Sequence, residues 1–332
     1  MHQQNFGFFT ILALLYSSAN TQDVKNETAG NTVGRNQTNT NDYPIFRIRD
    51  GIPAKSEEVP YQVSFKDGIN FRSKPPSLYG INFCGGTLVQ PQKILSAAHC
   101  FFTDENGKNK PKDLNHIVAA MGNVQNAAYY SSEDSLLAGQ WRRLINASVP
   151  SNYKFPRNDI AVVFALSPFV LNSRVATIPY ARRHSDHYQH RCIISGYGRI
   201  NEYTRSAILL MAAVDLLSTM MCKYRSRSYT TSMICADRNQ AEILVGDSGG
   251  PLVCRGTGEP AEGGRGILVG IASGGERTPD GVSFYTRISS YRDFIESKDG
   301  ARVYMYSSKN YQSRVCWSSF VVVWGVLLSL GI

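Results

Sequence analysis

Ser248 lies in the stretch Val245–Val253, which reads VGDSGGPLV. Glycine and proline are ordinary turn residues, so the stretch by itself fits a plain tight turn as well as a site built to hold one hydroxyl for chemistry. A serine that acts as a nucleophile needs a base, a group that orients this base, and hydrogen-bond donors for the oxyanion that forms. Other parts of the chain must supply these groups.

Two upstream segments contain a candidate base and a candidate orienting group. His99 lies in LSAAHC, and Asp159 opens the apolar run of RNDIAVV. Taken singly, a histidine is usually a surface or core residue, and an aspartate at the start of a strand is usually a turn or cap residue. The chain order His, Asp, Ser is nevertheless one of the few in which nucleophilic triads occur. The combination favours Ser248 as an activated nucleophile.

The segments that must position these residues predict an all-β protein. Short runs of β-branched and aromatic residues, broken by Gly, Pro and Asn, extend from Ile48 to about Leu166 and return from Cys192 onward. Many short strands at close spacing are typical of a barrel or a sandwich. The best helical pattern is SSYRDFIESK, in which Ser289 or Ser290 caps a short helix that ends near Lys298.

The amino-terminal end differs in composition from this central part. An apolar run followed by small residues predicts a signal peptide over residues 1–19, although no Lys or Arg precedes the run. Residues 20–47 are polar and rich in Asn and Thr, so we expect a flexible pro-segment there. Sequons, which agree with export and predict glycosylation, occur at Asn26, Asn36 and Asn146.

The carboxyl end combines a polar linker, residues 299–316, with an uncharged apolar tail, residues 317–332. This tail is short for a membrane-spanning helix, which needs about 20 residues. An apolar end after a polar spacer is typical of a GPI-attachment signal. A retained anchor and an apolar end without a membrane role are the alternatives. We therefore expect a secreted protein or one tethered to the cell surface.

Charge and cysteine content narrow the classes of partner and cofactor. The chain has 332 residues and a net charge of +9, but its basic residues are scattered, which favours a solvated surface and argues against a nucleic-acid partner. The seven cysteines fit disulfide bonds in an oxidising compartment. No Cys-x-x-Cys or His-rich pair and no convincing cluster of calcium ligands occurs, so we expect no metal and no cofactor.

The motifs SAAHC, NDIAVV and GDSGGP resemble the three signatures of the chymotrypsin/trypsin family of serine proteases, and the similarity extends over residues 48–298. The resemblance implies two six-stranded antiparallel β-barrels with a short C-terminal helix, and an active site in the cleft between the barrels. It also implies that His99 accepts the proton of Ser248 during attack on a peptide carbonyl, while Asp159 fixes the imidazole tautomer. The backbone amides of Gly246 and Ser248 would form the oxyanion hole.

The resemblance further implies a zymogen. In IFRIRDG, an activating protease that cuts after Arg47 would release Ile48, whose new ammonium group would insert beside Asp247. The family usually reads Ile-Val-Gly-Gly at this terminus, whereas this chain has Arg49 and Asp50 at the second and third positions. These two residues change how the new terminus packs.

Six cysteines match family positions, and the resemblance implies the disulfides Cys84–Cys100, Cys192–Cys254 and Cys222–Cys235. A further bridge, which in the family ties two walls of the primary specificity pocket, is missing because Leu244 stands at one of its positions. Cys316 is left over; it is a free thiol, is acylated, or is lost with the tail.

The primary specificity pocket departs from the family pattern. Glu242 stands at the position of the pocket base, where a carboxylate would favour Arg or Lys side chains. The longer Glu side chain instead fills the pocket or turns away, or belongs to a rearranged surface loop. Ser273 and Gly275 match the strand that pairs with the substrate backbone, but Gly274 replaces the usual Trp between them, and Ser283 replaces a frequent glycine.

Three function classes remain open from the sequence. The first is a serine endopeptidase, with a protein or peptide substrate, an activating protease, a protein inhibitor and a membrane tether through the tail as its partners. The second is a non-catalytic protease homologue that binds a partner, which the altered pocket keeps open. The third is an adhesive surface module. The complete set of triad residues favours the endopeptidase.

Overall fold

The computed structural model describes residues 48, 51–105, 108–185, 188, 192–201, 203–238, 241–276, 278, 280–296 and 301–305. Contacts divide the chain into Met1–Tyr43 and Pro44–Ile332, and every described residue belongs to the second unit. The predicted signal peptide, the pro-segment with its sequons, Arg47, Cys316 and the apolar tail lie outside the described residues.

The described chain is built mainly from antiparallel strands. The strands before residue 170 are β1 (Ile52–Pro53), β2 (Gln62–Asp67), β3 (Tyr79–Gln90), β4 (Lys93–Ser96), β5 (Phe102–Glu105), β6 (Lys108–Pro111), β7 (Val118–Met121), β8 (Ala127–Tyr129), β9 (Gln140–Pro150) and β10 (Ala161–Ala165). The strands after residue 190 are β11 (Cys192–Gly196), β12 (Leu210–Val214), β13 (Met233–Asp237), β14 (Pro251–Cys254), β15 (Ile267–Gly275), β16 (Val282–Arg287) and β17 (Ala301–Met305).

The first sheet closes into a barrel. In the described residues, six strands follow the order β10, β4, β3, β2, β7 and β9, and β9 pairs back onto β10. Strand β2 has the period of two that a barrel strand needs, because Val63 and Phe65 enter the barrel core while Lys66 points to the opposite face. Burial of a side chain such as Phe65 contributes roughly 1.5–3 kcal/mol.

Lys66 is a buried cation on that opposite face. Its side chain is 1% exposed, and its Nζ donates hydrogen bonds to the carbonyl oxygens of Gln125 and Asn126, at 2.9 and 2.7 Å. The rings of Trp141 and Tyr197 lie 5.6 and 5.5 Å from the nitrogen. Burial lowers the pKa of Lys66 to about 7, while the two carbonyls and the two rings favour its charged form.

The second sheet has the strand order β1, β12, β11, β14, β15, β16 and β13 in the described chain. The segment after β12 returns to β13 through a bridge between Leu216 and Ala236, with a hydrogen bond from Leu217 N to Cys235 O of 2.9 Å. The prediction of an all-β protein is confirmed, and of the two six-stranded antiparallel barrels expected, the first is a closed barrel and the second is described as an antiparallel sheet. The second sheet exceeds the expected six strands because the two-residue β1 adds to its edge.

Two short helices accompany the sheets in the described chain. Helix α1 (Thr219–Arg225), which the sequence analysis did not predict, is capped by the Ser218 hydroxyl, which accepts a hydrogen bond from Met221 N at 3.3 Å. Helix α2 (Arg292–Glu296) is the expected C-terminal helix. Within the described residues, neither has the length and apolar character needed to cross a bilayer.

The start of the C-terminal helix was predicted wrongly. The segment enters through a 3-10 turn, Ile288–Tyr291, so Ser289 and Ser290 lie inside the turn and cap nothing. The Ser289 hydroxyl is buried and has no hydrogen-bond partner among the described residues. The buried Ile288 and Ile295 hold the segment against the core.

Three disulfides join Cys84–Cys100, Cys192–Cys254 and Cys222–Cys235 in the described residues. They are the pairs that the family resemblance implies. The first attaches β3 to the turn that follows β4, the second links β11 to β14, and the third fastens α1 to β13.

Candidate active site

His99 lies on a 3-10 turn, Ala98–Phe101, that follows β4 and is anchored at two points. One anchor is the disulfide of Cys100. The other is Phe101, whose ring meets that of Phe65 edge to face, with centroids 5.2 Å apart. The imidazole itself remains 26% exposed. The barrel core therefore fixes the turn and leaves the ring accessible.

Asp159 binds His99 through both of its carboxylate oxygens. Oδ2 lies 2.8 Å from Nδ1 of the imidazole, and Oδ1 accepts a hydrogen bond of 3.0 Å from the His99 backbone N–H. Because an ionised carboxylate can only accept, Nδ1 must be the protonated nitrogen. Nε2 then carries the lone pair and can act as a base.

Two strands of the second sheet hold Asp159, whose side chain is fully buried. Ser273 of β15 donates a 2.5 Å hydrogen bond to Oδ2, and Thr286 of β16 donates one of 2.7 Å to the Asp159 carbonyl oxygen. The preceding residue, Asn158, has φ of 55°, a left-handed conformation that asparagine tolerates better than most residues. Hydrogen bonds from several donors offset the cost of burying a carboxylate in the protein interior.

Ser248 lies in the turn before β14 and packs against the segment that carries His99. Its carbonyl oxygen accepts a hydrogen bond of 2.7 Å from Gly85 N and lies 3.6 Å from the Cys100 sulfur. The next residue, Gly249, has φ of 82°, and a side chain there would collide with the Gly85 carbonyl oxygen. Glycine therefore lets the turn pack closely enough to bring Ser248 beside the residue that follows His99.

The loop before Ser248 is anchored by a residue that the sequence analysis missed. Asn82 of β3 donates a 3.0 Å hydrogen bond from Nδ2 to the Gly246 carbonyl oxygen. The Ser64 hydroxyl holds the amide of Asn82 in turn, donating to Oδ1 at 2.8 Å. Asn82 is buried, so this connection from the first sheet to the predicted oxyanion loop is shielded from water.

Asp247 is a buried carboxylate with backbone partners only, as far as the described residues go. Oδ1 accepts a hydrogen bond of 2.7 Å from Gly198 N, and Oδ2 accepts one of 3.0 Å from Leu244 N. Burial raises the pKa of Asp247 to about 7, although the two hydrogen bonds oppose this rise. Ile48 is also buried and packs in the apolar cluster of the second sheet.

Glu242, the predicted pocket base, is already paired within the chain. Its side chain is 8% exposed, and its Oε1 forms an ion pair with Nη2 of Arg238. The other guanidinium nitrogen, Nη1, donates to the carbonyl oxygen of Glu276, directly after β15. The Ser226 hydroxyl donates to Oε1 of the Glu276 carboxylate. Of the alternatives for Glu242, an exposed loop position is excluded by this burial.

The Phe155 ring lies beside Gly274, the residue that stands where the family usually has Trp. A side-chain atom built on Gly274 would lie 3.3 Å from the tip of the Phe155 ring. The same ring meets His99 edge to face, with centroids 5.4 Å apart, and the residue is 53% exposed. An exposed aromatic ring therefore borders the imidazole.

Ser273 and Gly275 lie on β15 as expected, and Gly275 pairs with Ser283 of β16. Ser283 is fully buried, and its hydroxyl has no hydrogen-bond partner among the described residues. A buried hydroxyl without a partner costs free energy unless water or a ligand satisfies it.

One cluster of metal-type ligands was found in the described residues. Cys84, His99 and Cys100 place three candidate ligand atoms within 4.8 Å of one another. The two sulfurs are joined in a disulfide, so neither is available as a thiolate.

Two cavities, of about 280 and 540 Å³, lie elsewhere on the described surface. Gly122, Leu136 and Arg174 line both of them. None of the predicted site residues belongs to either lining, so these cavities do not enlarge the candidate active site.

Asn146 is the sequon residue that the structure describes. It lies within β9 and pairs with Phe164 of β10 on one side and Met305 of β17 on the other. Acceptor sequons normally lie in surface loops. Glycosylation of Asn146 stays a prediction.

Residues 48–295 match the family model described as Trypsin. The chain therefore belongs to the trypsin family of serine proteases.

Curated relatives agree with this membership. Over about three quarters of this chain, it is 32% identical to Transmembrane protease serine 9 of Rattus norvegicus, 29% to Transmembrane protease serine 11C of Mus musculus and 29% to Anionic trypsin of Canis lupus familiaris. The matches cover 22%, 54% and 89% of these relatives, respectively. The chain thus spans less than two thirds of the two transmembrane proteases.

Proposed function

We propose that this chain is a serine endopeptidase that hydrolyses protein substrates through Ser248, His99 and Asp159. The observation that carries the proposal is the pairing of the buried Asp159 carboxylate with Nδ1 of His99. The loop that bears Ser248 packs against Cys100, the residue after His99. This pairing leaves Nε2 free to accept a proton, which a serine hydroxyl needs in order to attack near neutral pH. Membership of a family that contains proteases supports the same reaction.

The reaction proceeds through an acyl-enzyme. Oγ of Ser248 forms a bond to the peptide carbonyl carbon while its proton passes to Nε2 of His99. The carbonyl oxygen becomes an oxyanion, which the N–H groups of Gly246 and Ser248 stabilise. The C–N bond then breaks as His99 gives the proton to the leaving amine. Water, deprotonated by His99, hydrolyses the ester and restores Ser248.

Activation by cleavage after Arg47 belongs to the same proposal. The supporting observation is Asp247, a buried carboxylate whose partners in the described chain are two backbone N–H groups. A free Ile48 ammonium would give this carboxylate a counter-charge, and losing one member of such a buried pair typically costs about 3–5 kcal/mol. The pair would order the adjacent loop of Gly246.

We expect the partners to be a protein substrate, an activating protease and a protein inhibitor, and the location to be outside the cell or on its surface. Two relatives named as transmembrane proteases support a tethered form. The predicted anchor is the apolar tail, residues 317–332, as a GPI signal or a retained segment.

A fluorophosphonate probe tests the catalytic proposal, since it labels only an activated serine. The protein is cleaved after Arg47 with immobilised trypsin, which is then removed, and exposed to the probe. We expect one label, at Ser248, and none on Ser248→Ala. The Arg47→Gln variant should stay unlabelled after the same treatment.

Two results would contradict the proposal. Cleaved, folded protein that takes no label would favour the non-catalytic homologue that binds a partner. Equal labelling of wild type and Arg47→Gln would overturn activation at Arg47.

A further inference from the structure

We infer that Arg238 neutralises Glu242 inside the primary specificity pocket, so that the pocket selects an uncharged substrate side chain rather than Arg or Lys. The inference rests on the proposed endopeptidase activity. It reverses the simplest interpretation of an acidic residue at the pocket base, which is a preference for basic side chains.

The first observation is that the Glu242 carboxylate already forms an ion pair within the chain. Arg238 forms an ion pair with its carboxylate, and the two side chains are only 14% and 8% exposed. A guanidinium keeps its proton in proteins, so this cation is present throughout the working pH range. The pair leaves little net negative charge for a substrate side chain.

The second observation is that Arg238 joins two chain segments that border the primary specificity pocket in the family. One guanidinium nitrogen binds Glu242, six residues before Ser248, and the other binds the carbonyl oxygen of Glu276, after β15. Leu244 replaces the cysteine whose bridge would tie two walls of this pocket. Arg238 thus forms a non-covalent connection between the walls.

A basic substrate side chain would have to displace this arginine. Displacement would leave the Arg238 guanidinium without its carboxylate in a largely buried place, and removing one partner of a buried pair is strongly unfavourable. A substrate cation that entered beside the intact pair would meet a like charge. Both routes disfavour Arg and Lys.

The third observation concerns Ser283, which pairs with Gly275 of β15 and has a fully buried hydroxyl without a partner in the described residues. Along β16 its side chain shares a face with Tyr285, not with Phe284. The Ser283 hydroxyl is neutral, so this position adds no negative charge that would attract a basic side chain.

A peptide-library cleavage profile of the activated enzyme tests the inference. We expect an uncharged residue immediately before the cleaved bond, with kcat/KM for Arg or Lys at that position at least tenfold below the best residue. Arg238→Ala should raise kcat/KM for Arg and Lys peptides at least tenfold by freeing the Glu242 carboxylate.

Two further variants test whether the effect of Arg238→Ala comes from the freed charge of Glu242 or from a disturbed pocket structure. Arg238→Gln combined with Glu242→Gln removes both charges and should not gain cleavage after Arg or Lys. Arg225 pairs with Asp237 at 3.0 Å in the same region, so Arg225→Gln is a matched control and should keep the wild-type profile.

The outcomes distinguish this inference from the proposed function. Wild-type enzyme that takes the fluorophosphonate label but cleaves mainly after Arg or Lys would overturn the role of Arg238. The role of Arg238 would also be overturned by an Arg238→Ala variant that takes the fluorophosphonate label normally but shows no increase in kcat/KM for Arg or Lys peptides. Absence of label on the wild type would instead overturn the endopeptidase proposal.

Discussion

Ser273 shows how one side chain connects the second sheet to Asp159, the proposed catalytic carboxylate. Its hydroxyl donates a 2.5 Å hydrogen bond to the same Asp159 oxygen that holds His99. Hydrogen bonds to charged groups contribute roughly 1.5–3 kcal/mol, more than those between neutral groups. The orientation of the imidazole therefore depends on a residue from the other sheet.

Ser273→Ala should lower the free energy of unfolding by about 2 kcal/mol, because a buried carboxylate loses a donor. It should also lower kcat more than it raises KM, since the imidazole is less well oriented. Urea denaturation and peptide kinetics measure the two effects. Ser289→Ala is the matched control: its buried hydroxyl has no partner in the described chain, so its loss should not lower the free energy of unfolding. Equal effects of both variants would contradict this role.

The loop from Val245 to Gly249 is the element on which the proposed chemistry depends, and it has no regular secondary structure of its own. It is held by Asn82 through the Gly246 carbonyl oxygen and by Gly85 through the Ser248 carbonyl oxygen. Both anchors belong to β3. The first barrel therefore shapes a loop that the second sheet carries.

Asn82→Ala should slow fluorophosphonate labelling of Ser248 about tenfold, because the freed loop spends less time in its reactive conformation. Loss of the bond also leaves the Gly246 carbonyl oxygen and the Ser64 hydroxyl without Asn82, at a cost of about 1–3 kcal/mol in unfolding free energy. Labelling rates and urea denaturation provide the measurements. Asn115→Ala, at a surface turn, should match wild type in both. Unchanged labelling of a destabilised Asn82→Ala would limit Asn82 to a structural role.

At the scale of the whole molecule, Asp247 makes the stability of the uncleaved chain depend on pH. Burial raises its pKa from 3.8 to about 7, so between these values the folded chain holds a proton that the unfolded chain has lost. Stability therefore falls as pH rises through this window, by an amount on the order of 4 kcal/mol. Cleavage after Arg47 should abolish this loss by supplying the Ile48 ammonium.

Urea denaturation of uncleaved Ser248→Ala protein from pH 4 to 7 tests this dependence, and the Asp247→Asn variant on the same background removes the titrating group. The difference in unfolding free energy between the two proteins should change steadily across the window. A constant difference would show that Asp247 does not titrate there.

The sequence predicted the parts of this molecule that local motifs encode. His99, Asp159 and Ser248 stood out because each lies in a short motif and their order is rare. Asn82 could not be found in this way, because it binds a residue 164 positions away. Helix α1 was missed because Cys222 is its only buried side chain, which leaves no apolar periodicity to detect.

The contacts of Glu242 and Gly274, two residues of the predicted specificity pocket, could not be predicted from the sequence either. Arg238 and Glu242 are four residues apart, a spacing that indicates an ion pair on a helix. They lie instead between β13 and the Ser248 loop, where only the folded chain determines which groups meet. Phe155 reaches Gly274 across 119 positions, and no local pattern encodes that contact.

The burial of Lys66 also makes the stability of the uncleaved protein depend on pH. Its pKa falls from 10.5 to about 7 on burial, so its contribution to stability grows as pH rises above neutrality, in the opposite sense to Asp247. Together these two buried groups predict a minimum in the free energy of unfolding of the uncleaved protein near pH 7, which urea denaturation from pH 4 to 10 would measure.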